Sequence, residues 1–219
     1  EAGLGHDGRI EQALAMVEHA AQSGADAVKF QFLDTEKLIH PHELASQLGN
    51  NNPQTILQVL KNLDFHPDWL VPLREKADHL GMDLFLTPLY LEAVSHMEQA
   101  GLPLYKVASG DITFSPLIEK IASTGKPVIL SLGIAEKNEV EWTLKKLHGA
   151  GCAVALLYCV SKYPAPLSLI DLKQMRDLEQ AYGLPIGLSD HTTSLIVPAL
   201  AVMMGARIIE KHFTLSNHL

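Results

Sequence analysis

Two histidines, His191 and His212, lie at corresponding positions in two short apolar segments of the sequence. The segments are 185–192 and 207–214, and the apolar stretch 195–206 between them has the length of one helix. The order is therefore strand, helix, strand, with a histidine at the tip of each strand. Because neighbouring strands lie about 4.8 Å apart, the two imidazoles can reach one metal ion, each at about 2.1 Å.

A single histidine at a strand end is more often structural than a metal ligand, but His191 and His212 occupy matching positions in consecutive units. Two histidine ligands and no cysteine leave coordination positions open to water or substrate, which is typical of a catalytic site. Mn²⁺ suits histidine combined with oxygen ligands, and Mg²⁺ or Co²⁺ are the alternatives.

The rest of the chain repeats the same unit of strand and helix. Further strands are predicted at 27–31, 84–87, 104–109, 127–131 and 154–159, and helices at 9–22, 54–62, 67–80, 90–100, 115–124, 136–149, 169–182 and 194–204. Strands that alternate with helices predict a parallel sheet and the α/β class. Counting Glu1 as the tip of a further strand gives eight units, which favours a TIM (β/α)8 barrel.

An open dinucleotide-binding sheet is the alternative fold. Gly3, Gly5 and Gly8 have the required glycine spacing, but no strand precedes them and no acidic residue caps a second strand about twenty residues on. We therefore expect residues 1–219 to form one TIM-barrel catalytic domain whose first strand and last helix are truncated. The long connection 34–66, with Pro41 and an Asn50–Pro53 turn, is predicted to cover a site.

Composition restricts the classes of function. The net charge of −8 argues against a nucleic-acid surface. Cys152 and Cys159 are predicted on opposite faces of one strand, so we expect free thiols and a cytoplasmic location. No signal peptide is visible, and the longest apolar stretch is too short and interrupted to span a membrane.

Polar side chains end nearly every predicted strand, and in a barrel these ends converge on one mouth, where the active site lies. Lys29 and Lys106 lie inside strands, although lysine is almost never fully buried without a partner. Two lysines and several hydroxyls in an acidic protein predict a site for phosphate and carboxylate. Asp111 either caps the next helix or contacts a sugar hydroxyl, and the pair Met203–Met204 is predicted to be core.

Eight motifs, taken together and in this order, resemble the sialic acid synthase family, which includes N-acetylneuraminate synthases and spore-coat polysaccharide synthases. The motifs are EAGLGHDG from Glu1, GADAVKFQ from Gly24, FLTP from Phe85, YKVASGD from Tyr105, KPVILS from Lys126, CVSKYPAP from Cys159, SDHT from Ser189 and EKHFTL from Glu210. Each motif alone is weak, but the set covers essentially the whole chain.

The resemblance implies a TIM barrel that condenses phosphoenolpyruvate with an N-acetylated amino-sugar aldehyde, such as N-acetylmannosamine, to give a sialic-acid-like nonulosonate and phosphate. It implies metal ligation by His191 and His212. Phosphoenolpyruvate would be held by Lys29, Thr87, Lys106, Ser109, Ser131, Ser161 and Ser189. The reaction centre and the sugar site would be lined by Glu1, Gln31, Asp111 and Tyr163.

Members of that family usually carry a C-terminal antifreeze-like domain that caps the partner's site in a swapped homodimer, and this sequence does not contain it. Asp111 stands where glutamate is often found, and Ser161 where some members have asparagine, so the identity of the sugar stays open. Two other functions are considered. One is a Schiff-base aldolase with Lys106 or Lys162 as nucleophile, and the other is a non-catalytic barrel that binds sugar phosphates.

Overall fold

The computed structural model describes residues 1–39 and 53–216 of the chain. Residues 40–52 of the predicted covering connection 34–66, including Pro41 and the asparagines of the Asn50–Pro53 turn, therefore lie outside the described residues. The chain divides into two units. The N-terminal unit consists of Ala2–Pro103 and Thr214–Leu219, and the C-terminal unit consists of Glu1 and Leu104–Phe213.

The described part of the N-terminal unit contains two parallel strands and the helices that flank them. Its elements are α1 (Ile10–Gln22), β1 (Ala27–Phe32), α2 (Thr35–Leu38), α3 (Pro53–Lys61), a 3-10 turn (Pro67–Trp69), α4 (Leu70–His79), β2 (Asp83–Pro88) and α5 (Leu91–Gln99). Helix α1 buries Ala13, Met16, Val17 and Ala20, which the helical period places on one face. The strands pair with Lys29 opposite Phe85 and Gln31 opposite Thr87.

The loop after Ala2 is held by a buried histidine in an aromatic cluster. The ring of His6 lies 5.2 Å from Trp69, 5.9 Å from Phe65 and 6.2 Å from Phe30, measured between ring centroids. Its Nδ1 accepts a hydrogen bond from the backbone N–H of Gly8 at 3.1 Å. Burial lowers the pKa of His6 to about 4, so the ring is neutral at pH 7 and packs as an aromatic side chain.

The C-terminal unit contains five strands that pair in chain order, each parallel to its neighbour. Its elements are β3 (Tyr105–Val107), α6 (Ser115–Ala122), β4 (Val128–Ser131), α7 (Lys137–Gly149), β5 (Val154–Cys159), a 3-10 turn (Leu167–Leu169), α8 (Lys173–Tyr182), β6 (Ile186–Asp190), α9 (Ile196–Met203) and β7 (Ile209–Lys211). Strand interiors such as Leu130, Leu156 and Leu188 are buried. Parallel pairing with a helix between successive strands confirms the predicted α/β class.

Strands β6 and β7 approach closely at a glycine. A Cβ atom at Gly187 would collide with the backbone oxygen of Ile208 and come within 2.8 Å of its side chain. The N–H of Leu188 donates to that same oxygen at 2.9 Å. Glycine is therefore required where β6 meets the segment that leads into β7.

Glu1 pairs with the end of β7 in the manner of a neighbouring strand residue. Its amino group donates to the oxygen of Lys211 at 2.8 Å, and the N–H of Phe213 donates to the oxygen of Glu1 at 3.1 Å. These two bonds are those of a parallel pair in which Glu1 lies beside His212. This pairing matches the prediction that Glu1 belongs to the tip of a further strand.

Two expectations from the sequence are wrong. Met203 is 83% exposed and Met204 is only half-buried, because α9 buries Val197 and Ala201 and turns its other apolar residues outward. Asp111 does not cap the following helix, which begins four residues later at Ser115 and has no side-chain cap.

Cys152 and Cys159 are both buried and both thiols are free. The prediction that they lie on one strand is wrong, because β5 begins at Val154, after Cys152. No helix in the described part of the chain combines the length and apolar character needed to cross a membrane.

Candidate active site

The two histidines follow directly after the last residues of β6 and β7. The strand register sets Ser189 opposite Glu210 and Asp190 opposite Lys211, so His191 and His212 come next on each side. Their ring centroids are 5.7 Å apart, with the ring planes at 53°. The fold thus brings the two predicted metal ligands together at the carboxyl end of the sheet.

The hydrogen bonds of His191 leave one nitrogen available as a ligand. Its Nδ1 lies 2.8 Å from the backbone oxygen of Val160, and because a carbonyl only accepts, Nδ1 is the donor. The lone pair of the neutral ring is then on Nε2, which lies 3.2 Å from the Ser189 hydroxyl. That hydroxyl donates to the Glu210 carboxylate at 2.7 Å. Fixing one ring nitrogen through a backbone carbonyl is typical of metal-binding histidines.

This geometry fits a divalent ion held by two imidazoles. Rings that share one ion at about 2.1 Å per nitrogen have centroids no more than about 6.4 Å apart, and the observed 5.7 Å lies inside that limit. Within residues 1–39 and 53–216, no group of three or more His, Cys, Asp and Glu side chains is arranged to hold a metal ion. An ion at His191 and His212 would therefore take its other ligands from water or substrate, and ligation stays a prediction.

Tyr163 lies against both imidazoles. Its ring centroid is 4.1 Å from that of His191 and 5.8 Å from that of His212, the second contact being edge to face. The side chain is nevertheless 69% exposed. Tyr163 therefore covers one side of the histidine pair while presenting its other surface to solvent.

A buried lysine lies in the same unit. Lys106 is 3% exposed and donates to the Ser131 hydroxyl at 2.6 Å and to the oxygen of Val107 at 2.9 Å. Burial lowers the pKa of Lys106, while the negative charges of Glu210 and Asp111 act in the opposite direction. A buried ammonium that is hydrogen-bonded to neutral oxygens favours the binding of an anion.

Asp111 follows the turn after β3 and lies within electrostatic range of Lys106. Burial raises the pKa of Asp111 to about 6, and the charge of Lys106 opposes that rise. A carboxyl group that titrates near neutral pH can accept or donate a proton during a reaction.

Two predicted serine ligands lie near each other beside a glycine. The hydroxyls of Ser109 and Ser161 are 3.4 Å apart. A Cβ atom at Gly133 would collide with the Ser161 hydroxyl and come within 2.6 Å of the Cys159 sulfur. The absence of a side chain at position 133 therefore leaves room for the Ser161 hydroxyl in its present position.

The N-terminal unit places three other predicted residues together. The buried Lys29 donates to the Thr87 hydroxyl at 3.3 Å. Gln31 is opposite Thr87 in the strand register and lies on the same face of β1 as Lys29. The roles of these side chains in ligand binding stay predictions.

Glu210 was predicted to lie at a strand tip, on the face that it shares with His212, but it was given no role in the site. The structure shows that its carboxylate accepts the hydrogen bond of the Ser189 hydroxyl. Gly133 was also missed, and the sequence carries no signal for it because the Ser161 contact is set by the fold.

The model of the NeuB family matches residues 16–219. The chain belongs to the NeuB family. The N,N'-diacetyllegionaminic acid synthase of Legionella pneumophila is 37% identical over 227 residues, which cover all of this chain and 64% of that protein. The synthase of the same name from Campylobacter jejuni is 35% identical, and the alignment covers all of this chain and 67% of that protein. The chain thus spans about two thirds of the length of these relatives.

A solved structure supports the fold assignment of this NeuB family chain. The N-acetylneuraminic acid synthetase of Leptospira borgpetersenii has a TM-score of 0.87 and 33% identity. The match covers 98% of this chain and 72% of the other. The predicted α/β fold of the TIM-barrel type is confirmed, as is the resemblance to the sialic acid synthases.

The contact at Gly133 makes a testable prediction. In Gly133→Ala the new methyl group displaces the Ser161 hydroxyl, which the family resemblance assigns to phosphoenolpyruvate binding. On that assignment we expect the Kd for phosphoenolpyruvate to rise about tenfold, the cost of one lost hydrogen bond to a charged group. Calorimetric titration measures this. Gly149→Ala is the matched control, because its Cβ meets nothing within 4 Å. The assignment is contradicted if Gly133→Ala leaves the Kd unchanged. It is also contradicted if adding Ser161→Ala to Gly133→Ala raises the Kd by as much as Ser161→Ala does alone.

Proposed function

We propose that this chain provides the catalytic barrel of a synthase that condenses phosphoenolpyruvate with an N-acetylated amino-sugar aldehyde, giving a nonulosonate and phosphate. The observation that carries the proposal is the grouping of His191, His212 and Tyr163 in a unit that also buries Lys106. Membership of the NeuB family supports it.

The anionic reactant is proposed to bind at Lys106 and the neighbouring hydroxyls. The charge of Lys106 is buried and its hydrogen bonds go to Ser131 and a carbonyl, so a phosphate or carboxylate would gain a strong, water-shielded interaction. This local cation offsets the unfavourable field of a protein with a net charge of −8. Lys29 and Thr87 are proposed as further ligands on the basis of the family resemblance.

His191 and His212 are proposed to hold the divalent metal, with Mn²⁺ the expected ion. A metal bound there would supply Lewis acidity toward the aldehyde oxygen. The Val160 carbonyl fixes the His191 ring, and Tyr163 packs against that ring, so both contacts favour one orientation of this imidazole. Reactants bound in fixed positions react with little further loss of translational and rotational entropy.

Asp111 is proposed to move a proton. Carbon–carbon bond formation leaves a cation at the pyruvyl carbon, water adds there, and the resulting tetrahedral centre expels phosphate. The water must lose a proton, and a carboxylate with a pKa of about 6 is largely ionised at pH 7 and can accept it. Glu1, which pairs beside His212, is the second candidate for proton transfer.

The sugar is proposed to carry one or two acetamido groups. Relatives are named for products that include N,N'-diacetyllegionaminic acid and pseudaminic acid. A diacetylated product requires a diacetylated sugar precursor, because phosphoenolpyruvate contributes no nitrogen. N-acetylmannosamine and a diacetamido hexose are therefore both substrates to test.

We also propose that the full-length protein is a homodimer and is located in the cytoplasm.

A Schiff-base aldolase is the second candidate, and the state of Lys106 favours it. Burial lowers the pKa of Lys106, and an amine must be neutral to attack a carbonyl. The alternative nucleophile, Lys162, is exposed. The two mechanisms differ in their need for metal and in the covalent adduct they leave.

Phosphate release by the full-length protein, supplied with phosphoenolpyruvate, an acetamido sugar and Mn²⁺, tests the proposed reaction. We expect His191→Ala and His212→Ala each to lower the rate at least about 100-fold, because the one remaining imidazole would hold the metal ion too weakly. His79→Ala, in an exposed position at the end of α4, should keep the wild-type rate. Chelator should abolish activity and added Mn²⁺ restore it.

Two results contradict the synthase. Activity that survives chelator, combined with a pyruvate adduct on Lys106 after borohydride, assigns the Schiff-base mechanism. Binding of a sugar phosphate, with no phosphate released from phosphoenolpyruvate in the presence of any acetamido sugar, assigns a non-catalytic barrel.

The pKa of Asp111 predicts a pH effect. As a proton acceptor Asp111 must be ionised, so the rate should fall as the pH drops through about 6. Asp111→Asn should lower kcat by about 100-fold and remove that acidic limb. Measurement of kcat between pH 5 and 8 for both proteins checks this. An acidic limb that persists in Asp111→Asn belongs to the substrate phosphate, whose second pKa is also about 6, and would remove Asp111 from this role.

A further inference from the structure

An ion pair with a buried carboxylate joins β6 to β7 on the side away from the imidazoles. Asp190 lies between Ser189 and His191, and Lys211 precedes His212, so alternation places both on the other face of their strands. Lys211 Nζ donates to Asp190 Oδ2 at 2.6 Å. Asp190 is 2% exposed, whereas the Lys211 side chain is about one third exposed.

The same pair also fixes the residue after His191. The second Asp190 oxygen, Oδ1, accepts the backbone N–H of Thr192 at 2.9 Å, and Lys211 Nζ donates to the Thr192 carbonyl at 2.7 Å. The residues on both sides of His191 are therefore tied to one lysine on β7. The peptide that carries the His191 ring has little freedom to rotate as long as these bonds persist.

Stability alone is a poor explanation for this arrangement. Removing the Asp190 carboxylate from water costs several kcal/mol, and an apolar pair of similar volume is often as stable as an ion pair or more so. An ion pair with fixed hydrogen bonds does impose direction and distance, which an apolar contact does not.

We propose that Asp190 and Lys211 are positioning residues that fix the orientation of His191 relative to His212. The proposal deepens the proposed function, since the oriented imidazoles are the predicted metal ligands. The ion pair lies on the strand face opposite to the imidazoles and fixes the backbone around His191. The Val160 carbonyl holds the ring of His191 directly. Without the pair, His191 would keep its chemistry but lose its fixed direction toward His212.

Lys211→Met tests this, because methionine keeps the apolar stem and removes the charge and its donors. We expect Mn²⁺ affinity of the full-length protein, titrated without substrates, to fall about 10- to 100-fold, the usual effect of losing a residue that orients a ligand. Lys146→Met is the matched control: it removes an exposed 2.8 Å ion pair with Glu119 and should leave the affinity unchanged.

Two further variants separate positioning from misfolding. Lys211→Met leaves Asp190 buried without its partner, which destabilises the fold. Asp190→Asn/Lys211→Met contains no buried charge and keeps an acceptor for Thr192, so it should fold while Mn²⁺ affinity stays low. Lys211→Arg keeps the charge and should recover most of the affinity.

Imidazole nitrogen NMR of the metal-free protein provides a readout that does not depend on metal. The wild type should show His191 as the Nδ1–H tautomer, fixed by Val160, and the double variant should show tautomer exchange at this ring. A spectrum and an Mn²⁺ affinity that match the wild type in the double variant overturn the positioning role. If the wild type binds no Mn²⁺ but the spectrum still changes, the metal proposal fails and the positioning role stands.

Discussion

The register between β6 and β7 is the constraint on which the site depends. Gly187 allows the oxygen of Ile208 to approach β6, and the N–H of Leu188 uses that oxygen as its acceptor. From this point the pairing sets Ser189 opposite Glu210 and brings His191 beside His212. A shift of β7 by one residue would turn Glu210 and His212 to the other face, away from Ser189 and His191. Two short strands thus determine which groups meet.

Alternate side chains of β6 and β7 lie on opposite faces of the sheet, and the two faces have different proposed roles. One face carries Ser189 and His191, with Glu210 bonded to the serine, and these are the groups proposed to meet metal and reactants. The other face carries the ion pair between Asp190 and Lys211.

Burial also changes the proton affinity of groups in the site, since it lowers the pKa of Lys106 and raises that of Asp111 to about 6. The pKa of Asp111 therefore lies near neutral pH, where proton transfer is efficient.

The fold, and the two histidines that come together in it, could be predicted from the sequence. Strand and helix follow from periodicity, and equal positions in consecutive units predict that His191 and His212 meet. The sequence was not sufficient for contacts set by three-dimensional packing, such as the one between Gly133 and Ser161. Met203 was predicted wrongly because apolar character alone does not say which face of α9 is covered. Asp111 was a plausible cap from its turn, but the helix begins later, at Ser115.

The central claim is that His191 and His212 bind one divalent ion together. Electron spin echo spectroscopy of the Mn²⁺-loaded full-length protein tests it directly, because nitrogen nuclei coordinated to Mn²⁺ modulate the echo. The account predicts coupling to two imidazole nitrogens, reduced to one in each single-histidine alanine variant and to none when both are replaced. A wild-type spectrum without imidazole coupling, or one that is unchanged in the double variant, would contradict it.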